Sequence, residues 1–143
     1  GTAYNGASQN ESGYLGDAFE FGGFQSDDYI GMGTTYSSVI QSQNFTVSAW
    51  AKSYTTNYTE DVAQHLGVVF YWYRASGSGS YSITGRGDPA DWEALCKQPP
   101  NTAQRIDFDE SVVVGEWVHL AMVVNDSNMS LYFNGEYKNY TDV

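Results

Sequence analysis

Asn-x-Ser/Thr is the most frequent chemical signature of this chain. Six such tripeptides begin at Asn10, Asn44, Asn57, Asn125, Asn128 and Asn139. The composition, 9 Asn and 25 Ser or Thr in 143 residues, supplies about 1.6 by chance. The excess favours real acceptors for N-linked glycans, each a bulky, solubilising surface group. The competing reading is that a Ser/Thr-rich β-protein gathers sequons, which stay silent outside a eukaryotic secretory pathway.

Carboxylates are the second candidate chemistry. Asp27 and Asp28 stand side by side before Tyr29, and hard oxygen ligands suit Ca²⁺. Asp88, Asp91 or Asp126 would contribute from loops. Two adjacent acids before a strand are explained equally well as turn residues bonding their own backbone. Asp107-Phe108-Asp109-Glu110 is the nearest approach to the paired acids of a glycoside hydrolase. Asp107 and Asp109 would share a strand face, but a solvated acidic strand end is the better reading. His65 and His119 are the only histidines, and neither sits in a Ser-His-Asp or metal-binding spacing. Arg86-Gly87-Asp88 spells a cell-attachment tripeptide, yet three-residue matches arise by accident and its glycine reads as a turn residue.

Aromatic rings could stack on sugars through their flat apolar faces. Tyr54, Tyr58, Tyr73, Tyr81 and Trp92 fall near expected loops or outer faces. Trp92 and Tyr81 are the candidates for a carbohydrate platform. Trp50, Trp117 and Trp72 read as core.

The elements that must position these groups are strands. The chain holds 12 Tyr, 7 Phe and 4 Trp, in short alternating runs punctuated by Gly, Ser and Asn, which points to an all-β protein. Expected strands are Ala18–Phe21, Tyr29–Met32, Phe45–Ala51, His65–Arg74, Tyr81–Thr84, Arg105–Phe108, Glu116–Val124, Met129–Phe133 and Tyr137–Tyr140. Nine short strands read as a sandwich. Asn134-Gly135 is a strong hairpin signal, because a type I′ turn needs positive φ at both central residues. Val68–Tyr73 and Trp117–Val124 are apolar at successive positions, so each is expected to be a central strand covered on both faces. The best helix candidate is Pro89 to Lys97, with Asp88 as cap and Pro89 in the first turn. Ala75 to Gln104 reads as one long loop, and loops of that length are often functional.

Composition excludes several classes. A net charge of -11 repels phosphate backbones and argues against nucleic-acid binding. No stretch approaches the roughly 20 apolar residues that span a bilayer. Cys96 is the only cysteine, so no disulfide forms within the chain. A single domain over residues 1–143 is expected, with no linker and no internal repeat.

Four segments, in order, resemble the laminin G-like domains of the concanavalin A-like lectin/glucanase superfamily. They are Gly16-Asp17-Ala18-Phe19-Glu20-Phe21-Gly22-Gly23, Asp27-Asp28-Tyr29-Ile30, Asn44-Phe45-Thr46-Val47-Ser48-Ala49-Trp50-Ala51, and Trp117-Val118-His119-Leu120-Ala121 through Leu131-Tyr132-Phe133-Asn134-Gly135. Together they cover about residues 14–135. The resemblance implies an antiparallel jelly-roll sandwich of two sheets. Relatives usually carry an opening strand before this start and further strands after the Asn-Gly turn. The expectation is therefore a sandwich lacking closing strands after about residue 140, with three competing explanations: a fragment, a minimal variant, or a domain completed by another chain through strand addition. Against the hydrolases of the superfamily, whose strand reads E-h-D-x-x-E, the leading Glu is absent here and the third acid is misplaced.

These readings converge on a non-catalytic adhesion or assembly module at the cell surface or outside the cell. It would be an N-glycosylated building block of a surface or filamentous structure, with copies of itself or neighbouring extracellular domains as partners. The alternative is a Ca²⁺-dependent carbohydrate-binding lectin domain; a polysaccharide hydrolase ranks third.

Overall fold

The structure, a computed structural model, describes residues 1–22, 28–34, 37–41, 43–55, 65–73, 79–86, 90–98 and 102–143. It divides into two compact units, Gly1–Gln41 and Ser42–Val143.

The first unit holds strands β1 (Thr2–Tyr4), β2 (Ser8–Ser12), β3 (Asp17–Glu20) and β4 (Tyr29–Gly31), then a short helix α1 (Ser37–Gln41). β1 pairs antiparallel with β4 and β2 with β3. The Tyr4 and Tyr29 rings stack at 4.6 Å, 12° apart in plane. This is the cross-strand pairing of directly opposed aromatics expected in a ladder, since Tyr4 and Tyr29 are register partners.

The second unit contains two four-stranded antiparallel sheets. Its strands are β5 (Asn44–Lys52), β6 (His65–Tyr73), β7 (Ser80–Arg86), β8 (Asp91–Gln98), β9 (Thr102–Ser111), β10 (Trp117–Asn125), β11 (Asn128–Phe133) and β12 (Glu136–Asp142). The first sheet runs β12-β11-β10-β5 and the second β6-β7-β8-β9. Alternation decides what faces inward. Val118, Leu120, Met122 and Val124 of β10 are buried, as are Phe45, Met129 and Leu131 beside them. From the second sheet Tyr81, Ile83, Ala94, Cys96 and Phe108 are buried, and the Phe45 ring meets Tyr81 edge-on at 5.0 Å. β9 and β12 close one side. There Lys138 Nζ lies 2.7 Å from Glu110 Oε1, and the Asn139 side-chain amide donates to the Asp107 carbonyl at 3.4 Å.

Turn chemistry fixes the register. Asn134 and Gly135 have φ of 51° and 85°, the double positive φ of a type I′ turn. The Asn134 side chain accepts the His119 backbone N–H at 2.8 Å. Its own N–H donates to the His119 carbonyl, also at 2.8 Å. The β11-β12 hairpin is thereby tied to β10.

Three expectations are corrected. The stretch expected as helix, Pro89 to Lys97, supplies β8, paired with β7 and β9. Its period is two: Trp92, Ala94 and Cys96 point inward between Glu93, Leu95 and Lys97. The expected loop from Ala75 to Gln104 is accordingly mostly β7, β8 and the start of β9. β6, expected to be central, lies at one end of its sheet among the described residues, with Val68, Tyr71 and Tyr73 exposed at 53%, 60% and 55%. The strand buried on both faces is β7; its Ser80, Ser82 and Thr84 are short and lie low between longer neighbours. β10 is an interior strand, as expected, but it is not covered on both faces: Trp117, His119 and Val123 on its outward side are half-buried.

An added Cβ at Gly135 meets nothing within 4 Å, so substitution there tests backbone conformation alone. Gly135→Ala is expected to destabilise the domain by about 1–2 kcal/mol, read as a lower urea midpoint with an unchanged slope.

Candidate functional site

The outward face of the first sheet is assembled by register, because directly opposed residues in an antiparallel pair share a face. Trp50 opposes His119, and Lys52 opposes Trp117. Ser48, Ala121, Tyr132 and Tyr137 form the next row, followed by Thr46, Val123, Ser130 and Tyr140. The last row is Asn44, Asn125, Asn128 and Asp142. Trp50 and Trp117, which the sequence reading places in the core, are half-buried on this outer face. Alternation dictates this: Phe45, Val47, Ala49 and Ala51 take the inward positions of β5, leaving Trp50 to the other side.

The rings on this face are organised. Trp50 and His119 lie 5.2 Å apart. Lys52 Nζ sits 4.8 Å from the Tyr54 ring centre and 5.0 Å from that of Trp117, within cation–π range. Tyr132 and Tyr137 meet edge-on at 5.7 Å. A register shift between Leu131 and Tyr132 leaves Lys138 as the extra residue of β12. That bulge lets Tyr137 and Tyr140, three apart in sequence, reach one face, a re-aiming typical of bulges. They are 54% and 58% exposed. In a chain of net charge -11, the register places one carboxylate on this face, Asp142 at its far rim. The face offers flat rings, hydroxyls and one cation, which suits neutral polyhydroxylated ligands better than charged ones.

The outward face of the second sheet has a different character. Arg86 pairs with Glu93 at 3.5 Å, and Asp107 stands opposite Glu93 on β9. Burial raises the Glu93 carboxyl above its ordinary value; Arg86 works against this and Asp107 adds to it. On the neighbouring edge strand the Tyr71 and Tyr73 rings lie parallel at 6.5 Å.

The residues singled out from sequence are distributed as follows. Tyr81 and Trp92 are 3% and 5% exposed; both belong to the core, and neither ring offers a free face for a sugar. The loop expected to display Trp92 is a strand whose even-numbered residues point inward. Asp27 lies outside the described residues. Both oxygens of Asp28 accept backbone N–H bonds, from Gly6 at 2.7 Å and Gly22 at 2.6 Å, which is the turn-stabilising use of a carboxylate. Among the described residues, no three His, Cys, Asp or Glu side chains gather as a metal cluster. Asp107 and Asp109 do not follow simple alternation, because Asp109 sits at positive φ (56°) in a bulge of β9. Arg86 of the Arg-Gly-Asp tripeptide is engaged by Glu93, and Gly87 and Asp88 lie outside the described residues.

Of the six sequons, Asn44, Asn125 and Asn128 come together on the far rim of the first sheet. Asn139 lies at the β9-β12 seam, Asn10 is on β2, and Asn57 lies outside the described residues. Sequence reasoning missed the aromatic face. The available signal was the alternation of Trp50 with Phe45, Val47, Ala49 and Ala51.

Because the folded state holds the Glu93 proton more tightly than the unfolded chain does, wild-type stability is expected to fall as pH rises from the ordinary value of 4.5 through the raised one. Glu93→Gln removes that step. Thermal melts between about pH 4 and 7 are expected to show the wild type losing stability relative to this variant as pH climbs. A constant offset contradicts the assignment.

No curated protein and no solved structure matches the chain. A family model for laminin G-like domains, described as the concanavalin A-like lectin/glucanases superfamily, matches residues 24–143. That span covers most of the chain and includes both sheets of the second unit. The two antiparallel sheets agree with it, and the chain belongs to the laminin G-like domains of the concanavalin A-like superfamily.

Proposed function

We propose that this domain is a non-catalytic, N-glycosylated extracellular adhesion module that binds carbohydrate on the outward face of its first sheet. The observation that carries this reading is the aromatic face itself. Trp50, Trp117, Tyr132, Tyr137 and Tyr140 share it with serine and threonine hydroxyls, and the carboxylate that the register places on it, Asp142, lies at the rim. Sugar rings stack on such surfaces and bond to hydroxyls beside them. Family membership supports the binding or adhesion class. Among the described residues, no helix is long and apolar enough to cross a membrane.

A second reading, assembly by strand addition, is favoured by one observation. β6 is the terminal strand of its sheet among the described residues, runs for nine residues and carries no Asp, Glu, Lys or Arg. A long apolar edge lacking charged gatekeepers is prone to pair with another chain. Copies of this module would then extend the second sheet, leaving the first free to bind.

Two measurements test these readings. On a glycan array, a Tyr137→Ala/Tyr140→Ala double variant is expected to bind at least about tenfold more weakly, ~1.4 kcal/mol, while Tyr71→Ala on the other sheet binds as wild type. Equal loss in both variants, or none in the first, removes the assigned face. For assembly, light scattering is expected to give a mass that grows with concentration and reverts to monomer in Val68→Lys. A wild-type monomer at all concentrations discards strand addition through β6.

A further inference from the structure

Three sequons, one of them far from the other two in the chain, converge on one rim. Asn44 at the start of β5 opposes Asn125 at the end of β10, and Asn125 opposes Asn128 at the start of β11. All three occupy the outward face, on the row next to inward-facing Phe45, Val124 and Met129. The Asp126 N–H donates to the Gln43 carbonyl at 2.8 Å. That bond flanks Asn44 and Asn125 and makes them a non-hydrogen-bonded pair, whose Cα atoms stand about 4.5 Å apart. Asn125 and Asn128 close a two-residue hairpin at about 5.5 Å. The Asn44 side-chain amide also bonds to Asp126.

We infer that this rim is the domain's principal glycan-bearing site, and that it obeys an exclusion rule set by strand register. A sugar chain on Asn125 leaves no room for one on either neighbour. The rim therefore carries a glycan at Asn125 alone, or at Asn44, at Asn128 or at both with Asn125 bare. The physical reason is spacing: the first sugar ring is as wide as the gap between directly opposed side chains, and the branched chain beyond it is wider.

The same geometry excludes Asn139. Its register partner is Leu131, an inward-facing core residue. Its side-chain amide donates to the Asp107 carbonyl across the β9-β12 seam at 3.4 Å, and its side-chain oxygen accepts the Tyr140 N–H at 2.9 Å. A glycan there would have to displace the bond to Asp107 and part the β9-β12 seam. Glycans confined to the rim stand at the end of the outward face remote from Trp50 and Trp117, next to the row that holds Tyr140.

This inference rests on the glycosylated reading proposed above, and the test separates the two. The chain is secreted from a eukaryotic host, and site occupancy is read from glycopeptides and intact mass. Asn44 and Asn125 are 81 positions apart in sequence, so the folded register is what couples them. An Asn10→Gln/Asn57→Gln/Asn128→Gln/Asn139→Gln variant, which retains those two acceptors alone, is expected to leave the cell with one glycan per molecule. The wild type is expected to yield rim glycopeptides, no peptide modified at both Asn125 and Asn128, and an unmodified Asn139. Two glycans on the secreted variant, or a glycan on Asn139 of the wild type, overturns the exclusion rule even if other sites are occupied. A wild-type chain bearing no sugar at all overturns the glycosylated reading as well.

Discussion

The register of β10 is the constraint on which the second unit depends. This strand is apolar at successive positions, so its hydrophobic pattern alone does not say which side faces the core. A slip of one residue would exchange the two faces completely. Inward, it must present Val118, Leu120, Met122 and Val124; outward, it presents Trp117, His119, Ala121 and Val123. The choice is set by the neighbours. β5 alternates unambiguously around Phe45, and the Asn134-Gly135 turn clamps His119 with two backbone-directed bonds. Polar geometry thus decides what apolar pattern leaves open.

Once that register is set, the division of labour follows. Leu120, Met122, Met129 and Leu131 go into the core with no exposure. The larger amphipathic rings, Trp50 and Trp117, remain half-buried on the outward face. The β12 bulge adds Tyr137 and Tyr140 to the same side, and its extra residue, Lys138, turns to meet Glu110 on β9. One irregularity in the ladder both enlarges the outward face and fastens the seam between sheets. Glu93, Asp107 and Arg86 are placed on the other sheet, which keeps their charges off the aromatic face.

Much of the architecture was legible in the sequence because local signals agreed. The Asn-Gly turn, the alternation in β5 and the Trp-x-His strand all point to the same hairpin and sheet, and the family resemblance follows from them. β8 was hidden because Asp88 and Pro89 imitate a helix start, while its period of two, Trp92-Ala94-Cys96, is short and mixed with Leu95. β6 misled in the opposite way. Its unbroken apolar run suggested a central strand, yet the strand covered on both faces is β7, whose Ser80, Ser82 and Thr84 carry no hydrophobic signal. The aromatic face was missed because tryptophan was read as core by residue type rather than by parity within its strand. Asn125 and Asn128 could be read as neighbours across a turn, but Asn44 could not be joined to them, since only pairing brings it beside Asn125.

The central claim is that the outward face of the first sheet is the working surface. Indole N–H resonances report it directly, because the four tryptophans are divided between outside and inside. In a titration with an array-selected oligosaccharide, the Trp50 and Trp117 signals are expected to shift with ligand concentration, while those of Trp72 and Trp92 stay in place. Shifts confined to Trp72 and Trp92, or none at Trp50 and Trp117 on saturation, would contradict it.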